Sequence, residues 1–359
     1  MAYTTIDDPS AFFQTALWSG NAGTQDITND GNSDLKPDFT WTKPRTIAYG
    51  HKLMDSTRGI GSSGKFLFSD ATNAEDSIND YMMTFNTDGF SVGAGDAGFN
   101  ASNDTYVTWQ WKAGGGTTSS NTDGATTSTV QANTDAGFSI VTWTGTGSAT
   151  TLGHGLGVAP AVLIVKNRST AVDWAVYHKD LTDAGYVIAL NSTDTQIDSG
   201  TNRWNHTDPT SSVFSVGSGQ QTNQSSNNMV CYAFAEKQGY SKFGSYVGNG
   251  NANGTFVYTG FKPAFVMIKD IGAAGNWFIT DHKRNPFNLV DDWLVANGTG
   301  AETNYLNASS VDYLSNGFKL RTTYGETNTT GRTYIYMAFA ENPFVTSTGI
   351  PTTARAITG

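Results

Sequence analysis

Cysteine is nearly absent: Cys231 stands alone, so no disulfide can form within the chain and packing must hold the fold. Charge is scarce as well. Charged residues make up 14% of the chain, well under the quarter usual in globular proteins. Five are glutamates: Glu75, Glu236, Glu302, Glu326 and Glu341. Exposed helix faces are rich in Glu, Lys, Arg, Ala and Leu, so this shortage argues against helices. No apolar run approaches the roughly 18 residues that span a bilayer, and no membrane insertion is expected. Met1–Thr5 has neither a basic nor an apolar stretch, so no secretory signal is expected either. The 21 basic residues form no run, and the net charge is −10. A nucleic-acid partner is excluded on that ground, because phosphates call for clustered Lys and Arg.

What the chain does have is aromatic residues, 12% in all, and 40 glycines. Large side chains let a small number of residues build a core. Phe39-Thr40-Trp41-Thr42 alternates apolar and polar, as a half-buried strand does. Ala161–Val165 and Ala264–Ile268 are apolar throughout and read as central strands. Cys231–Phe234 and Tyr336–Phe339 alternate small and large, which suits packed sheets. Asn29–Asn32, Thr87–Gly89 and Ser315–Gly317 supply turns. Only Asp8–Phe13 suggests a short helix, with Asp as cap and Pro at the first helical position.

The landmarks recur three times. An aromatic-x-Gly step appears at Trp18–Gly20, Trp143–Gly145 and Tyr246–Gly248. Pro followed by an apolar run ending in Lys appears at Pro37–Lys43, Pro160–Lys166 and Pro263–Lys269. Phe90, Phe214 and Phe318 follow those lysines by 47, 48 and 49 residues. Closing strands end at Trp111, Phe234 and Phe339. Such spacing predicts an all-β chain of three tandem antiparallel β-sandwich or jelly-roll-like repeats. The expected division is 1–113 (an N-terminal segment with the first repeat), 114–137 (a flexible Gly/Ser/Thr-rich linker), 138–238 and 239–344 (the second and third repeats), and 345–359 (a polar tail). The units are expected in series, with the last two closely apposed.

Several strings are distinctive: Ala2–Ser10, Tyr106–Lys112, Gly153–Pro160, Gly239–Tyr246 and Tyr334–Glu341. On these the chain resembles a family of repeated domains, without assigned function, in structural proteins of tailed phages, mostly of marine bacteria. The resemblance covers nearly the whole chain. It implies a virion component such as a tail fibre, another appendage or a head-decoration protein. It implies as partners other virion proteins and copies of the chain itself, with a homotrimer first. It carries over no catalytic residue.

Candidate chemistry is thin. No Gly-x-Ser-x-Gly elbow or phosphate loop is present. Glu236 and Glu341 occupy matching repeat positions and are not a glycosidase pair, so no enzyme is expected. His51, His178 and His282 fall out of register with one another, against a shared metal site. Asp26–Asp34 could bend around Ca²⁺, but Pro37 stands where an EF-hand loop needs Glu; the competing reading is an Asx-rich turn. Asp55 with Arg58, and Asp281 with Arg284, suggest charge-assisted bonds that shape a turn. Trp174 and Trp277 share a repeat position and read as core. Trp204 and Trp293 have no such match and are the candidate surface contacts for a sugar ring. The sequence therefore predicts a non-enzymatic virion protein engaged in host attachment. The alternative is a carbohydrate-binding module for a host surface glycan; a polysaccharide depolymerase ranks below it.

Overall fold

The computed structural model describes residues 2–61, 64–78, 82–94, 97–304 and 310–353. After a 3-10 turn at Pro9–Ala11, capped by Asp8, the first part of the chain forms β1 (Phe13–Ser19), β2 (Gln25–Ile27), β3 (Phe39–Pro44), β4 (Lys52–Asp55), β5 (Gly64–Leu67), β6 (Asp76–Ile78), β7 (Met82–Phe85), β8 (Phe90–Val92) and β9 (Thr105–Trp111). The middle forms β10 (Ser119–Asn121), β11 (Ser128–Asn133), β12 (Phe138–Thr144), β13 (Thr150–Gly153), β14 (Val162–Asn167), β15 (Ala175–His178), β16 (Tyr186–Val187), β17 (Ile197–Asp198), β18 (Val213–Val216), the single-turn α1 (Gln220–Asn223) and β19 (Asn228–Phe234). The last part forms β20 (Ser241–Val247), β21 (Phe256–Tyr258), β22 (Phe261–Asp270), β23 (Trp277–Asp281), β24 (Asp292–Val295), β25 (Thr303–Asn304), β26 (Val311–Leu314), β27 (Gly317–Leu320), the single-turn α2 (Gly325–Asn328) and β28 (Thr333–Pro343).

These strands make three six-stranded sheets and several small ones, none of them a barrel. The large sheets run β1-β9-β3-β4-β5-β6, β10-β11-β12-β19-β14-β15 and β20-β28-β22-β23-β24-β25. In each, the strand bearing the aromatic-x-Gly step pairs with the closing strand. The closing strand pairs with the strand carrying the landmark Lys, and that strand with the next in sequence. Every one of these pairings is antiparallel.

Each large sheet buries one face under a small sheet. Leu152, Phe214 and Val216 of β13 and β18 share a core with Val141, Leu163 and Val165. Val257, Phe318 and Leu320 do the same over the third sheet, and Ile27, Phe90 and Val92 over the first. The other faces meet each other. A single cluster takes in Phe13, Trp111, Phe138, Phe234, Phe265 and Phe339. Trp111, Phe234 and Phe339 lie on the three closing strands and meet ring to ring, with centroids 5.5 to 6.3 Å apart. Units expected in series are thus gathered about one aromatic centre, because the inward face of each sheet is apolar and can be buried only against the others.

Residues 114–137 are also not a free linker. β11 pairs antiparallel with β12, and β10 with β11, so this stretch widens the second sheet. The polar tail, as far as it is described, folds back: Ser347 N donates to Asp7 at 2.6 Å, and Thr352 N to Phe344 O at 2.9 Å.

Candidate functional site

A set of buried polar groups lies where the large sheets meet. Burying charge costs free energy unless each group is paired, so every seam has to satisfy its own groups. Lys43, Lys166 and Lys269 are the penultimate residues of corresponding strands and are fully buried. Each reaches a threonine carbonyl in the neighbouring sheet's loops: Lys43 Nζ to Thr299 O at 3.3 Å, Lys166 Nζ to Thr72 O at 2.8 Å, Lys269 Nζ to Thr193 O at 3.1 Å. Each also donates to a carbonyl near itself, of Pro44, Val172 or Gly275. Burial pushes all three ammonium groups down to about 8.

Eight residues after each lysine a second contact crosses the same seam. Trp174 Nε1 donates to Phe68 O at 2.7 Å and Trp277 Nε1 to Ala189 O at 2.9 Å. His51 takes that place in the first sheet. Its Nδ1 accepts from Trp41 Nε1 at 2.8 Å, which leaves Nε2 as the donor to Val295 O at 2.9 Å. Burial pushes His51 down to about 3, so the ring stays neutral. The expected core role of Trp174 and Trp277 matches their burial, and each indole is also a tie between sheets.

A third set distinguishes the seams. Between the first and second sheets, Arg168 pairs with Glu75 at 2.8 Å, Glu75 with Arg58 at 2.8 Å, and Arg58 with Asp55. Tyr232 of the second sheet donates to Asp55 at 2.8 Å. Between the third and first sheets, Arg45 pairs with Glu302, Glu302 with Arg284, and Arg284 with Asp281 at 2.5 Å. Trp109 Nε1 donates to Asp281 at 3.1 Å. Burial works against the Asp281 carboxylate, but Arg284 outweighs it and holds the pKa below the usual range. Among the described residues the seam between the second and third sheets has no such chain. Ile271, Gln196 and Leu181 stand in the corresponding places, and His178 Nε2 faces Tyr336 O at 3.2 Å. Burial pushes His178 down to about 4.

Two features escaped the sequence reading. Gly20, Gly145 and Gly248 lie so close to a crossing chain that a Cβ would sit 2.0, 2.0 and 2.3 Å from the carbonyls of Ala101, Gln224 and Thr329. The residues beneath are Asn100, Asn223 and Asn328, all fully buried. Each amide donates to loop acceptors, for instance Asn223 Nδ2 to Ser148 O at 2.6 Å and Gly217 O at 3.0 Å. These asparagines recur nine or ten residues after the landmark phenylalanines, a spacing that could have found them.

The sugar-stacking candidates fare differently. Trp204 is 1% exposed and packs edge-on against Tyr177 at 5.9 Å, so it cannot meet a sugar ring. Its polar sequence neighbours suggested a surface position, but the indole turns under them. Trp293 is half-buried against Phe278 at 4.8 Å. The candidate Ca²⁺ loop spends its side chains in separate directions. Asp26 accepts from Ser91 at 2.6 Å, Asn29 from Gln110 at 2.5 Å and Asp30 from Lys283 at 2.7 Å. No group of three or more His, Cys, Asp or Glu that could hold a metal ion occurs among the described residues.

One cavity of about 430 Å³ opens at the seam between the third and first sheets. Phe13, Gln14 and Thr15 of β1 line it, together with Asp30, His282 and Lys283.

Fold and seams together define an all-β protein of three large antiparallel sheets tied by buried polar contacts around an aromatic centre. The chain belongs to the family described as a domain of unknown function, DUF7483, whose model matches residues 8–343. No curated protein and no solved structure matches it.

Proposed function

We propose that this chain is a non-enzymatic structural protein of a tailed-phage virion, of the tail-fibre, appendage or head-decoration kind, exposed at the surface and engaged in host attachment. We read it as three copies of one sandwich-like unit about a pseudo-threefold axis. The observation that carries the proposal is the use made of the buried ionisable groups. Lys43, Lys166 and Lys269, the two Asp–Arg–Glu chains, and His51 and His178 all bind sheet to sheet. A protein that must stay folded outside a cell without disulfides is served by such closure.

A homotrimer follows from the resemblance alone. The threefold closure that appendages obtain from three chains is made here within one, so the proposed partners are first of all other virion proteins. The carbohydrate-binding alternative loses Trp204. Its remaining support is the half-buried Trp293 and the exposed pair Phe256 and Tyr258 on β21, where the other two sheets carry Asp26 with Thr28 and Thr151 with Gly153.

Mass spectrometry and immunogold labelling of gradient-purified particles test the proposal. The expected result is a fixed copy number per particle and label at one structural site. Recovery of the chain only in the soluble fraction of the lysate would sink it.

A further inference from the structure

Three strand edges occupy the same place in the three large sheets and are treated differently. On β12 the edge is paired: β11 lies antiparallel beside it, with Gln131 opposite Ile140. Gln131 Nε2 also donates across the seam to Ser56 Oγ at 3.0 Å and Thr57 Oγ1 at 2.8 Å, in the turn after β4. On β20 the edge is capped. Phe243 N donates to Glu236 at 3.1 Å, and Lys242 and Lys179 hold that carboxylate at 3.0 Å each.

On β1 neither device is present among the described residues. Lys112 N donates to Phe12 O at 3.0 Å, which phases the ladder. In antiparallel pairing, alternate residues bond the same neighbour, so Gln14, Ala16 and Trp18 serve β9, while Phe13, Thr15 and Leu17 turn their backbone groups outward. Glu341, which stands where Glu236 does, pairs with Lys262 at 3.0 Å. The 430 Å³ cavity lies over this edge. Its far wall holds His282 and Lys283, which take the places of Ser56 and Thr57. Thr15 is among its lining residues, although only 2% exposed, and its buried hydroxyl has no hydrogen-bond partner among the described residues. A buried hydroxyl without a partner is costly, which marks this edge as incompletely satisfied.

We propose that the cleft over β1 is a docking site for one extended polypeptide strand of a partner protein, laid antiparallel along Phe13–Leu17 as β11 lies along β12. The strand completes the sheet edge through main-chain bonds to Thr15 and Leu17. The residue opposite Thr15 carries a side-chain carbonyl or carboxylate. It sits where Gln131 sits at the other seam, but faces the Lys283 ammonium, whose present partner Asp30 is largely exposed and weakly bound. The cleft's geometry is independent of any role in a virion.

The test uses the full chain, extended at its C-terminus by a flexible Gly/Ser linker and a second copy of residues 127–134, the β11 sequence. Tethering raises the effective concentration to the order of millimolar. The comparison is the same extension with those eight residues scrambled. Hydrogen exchange at Phe13–Leu17 is the readout. The β11 copy is expected to slow the Thr15 and Leu17 amides about tenfold or more relative to the scrambled extension. Placing proline at the copied glutamine, which removes the bond to Thr15, should restore the rate with the host chain unchanged. Equal exchange with the native and scrambled extensions would overturn the proposal. So would protection of β1 that appears in the unextended chain as its concentration rises, because the edge would then be taken by a second copy.

Discussion

At Arg58 the first sheet buries a guanidinium where the second buries Leu181, and Asp55 lies where the second sheet has His178. Both arrangements close a seam. A buried ion pair gains little over well-packed apolar residues, whereas one partner left alone is a buried charge without compensation. Arg58→Leu should therefore lower stability by about 3–5 kcal/mol, since it strands Asp55 beneath Tyr232. Adding Asp55→His should recover much of that loss. Chemical denaturation of the single and double variants measures the coupling. Equal loss in both would show that the charges themselves hold the seam.

At the scale of elements, the strands β3, β14 and β22 are buried over most of their length and carry a buried lysine as their penultimate residue. Burial lowers these lysines from 10.5 to about 8. Between those values the unfolded chain holds more protons than the folded one, so stability must rise with pH across that window. The buried tyrosines Tyr232 and Tyr246, raised well above 10, act in the opposite direction only at higher pH. Melting temperature should therefore climb from pH 8 to about 9.5, and Lys43→Met should remove about a third of the slope. A flat profile would mean that these ammonium groups are solvated. The same strands were legible in the sequence through their period and their Pro and Lys ends. The destination of the lysine was not, because a carbonyl in a loop of another sheet leaves no trace in local pattern.

Across the whole molecule, the contact of Trp111, Phe234 and Phe339 makes three sheets share one core. Calorimetry should therefore show one cooperative transition, since no sheet can lose its inward face without exposing the other two. Trp111→Ala should cost about 3–5 kcal/mol and lower that single transition as a whole. Separate transitions, with only one of them shifted, would show that the sheets fold independently.

The sequence by itself determined that the chain is β throughout and that its landmarks recur in order. It also picked out the Asp–Arg pairs and the shared position of Trp174 and Trp277. These rest on local period, on turn chemistry and on spacing along the chain. Only the tertiary structure decided how the sheets lie together. Apolar runs such as Ala161–Val165 announce burial on both faces but not by what. The stretch 114–137 has the composition of a linker and becomes strand because β12 offers it an unpaired edge. Trp204 has polar neighbours in sequence and Tyr177 in space. In each case a contact made between distant parts of the chain overrode what the neighbouring residues suggested.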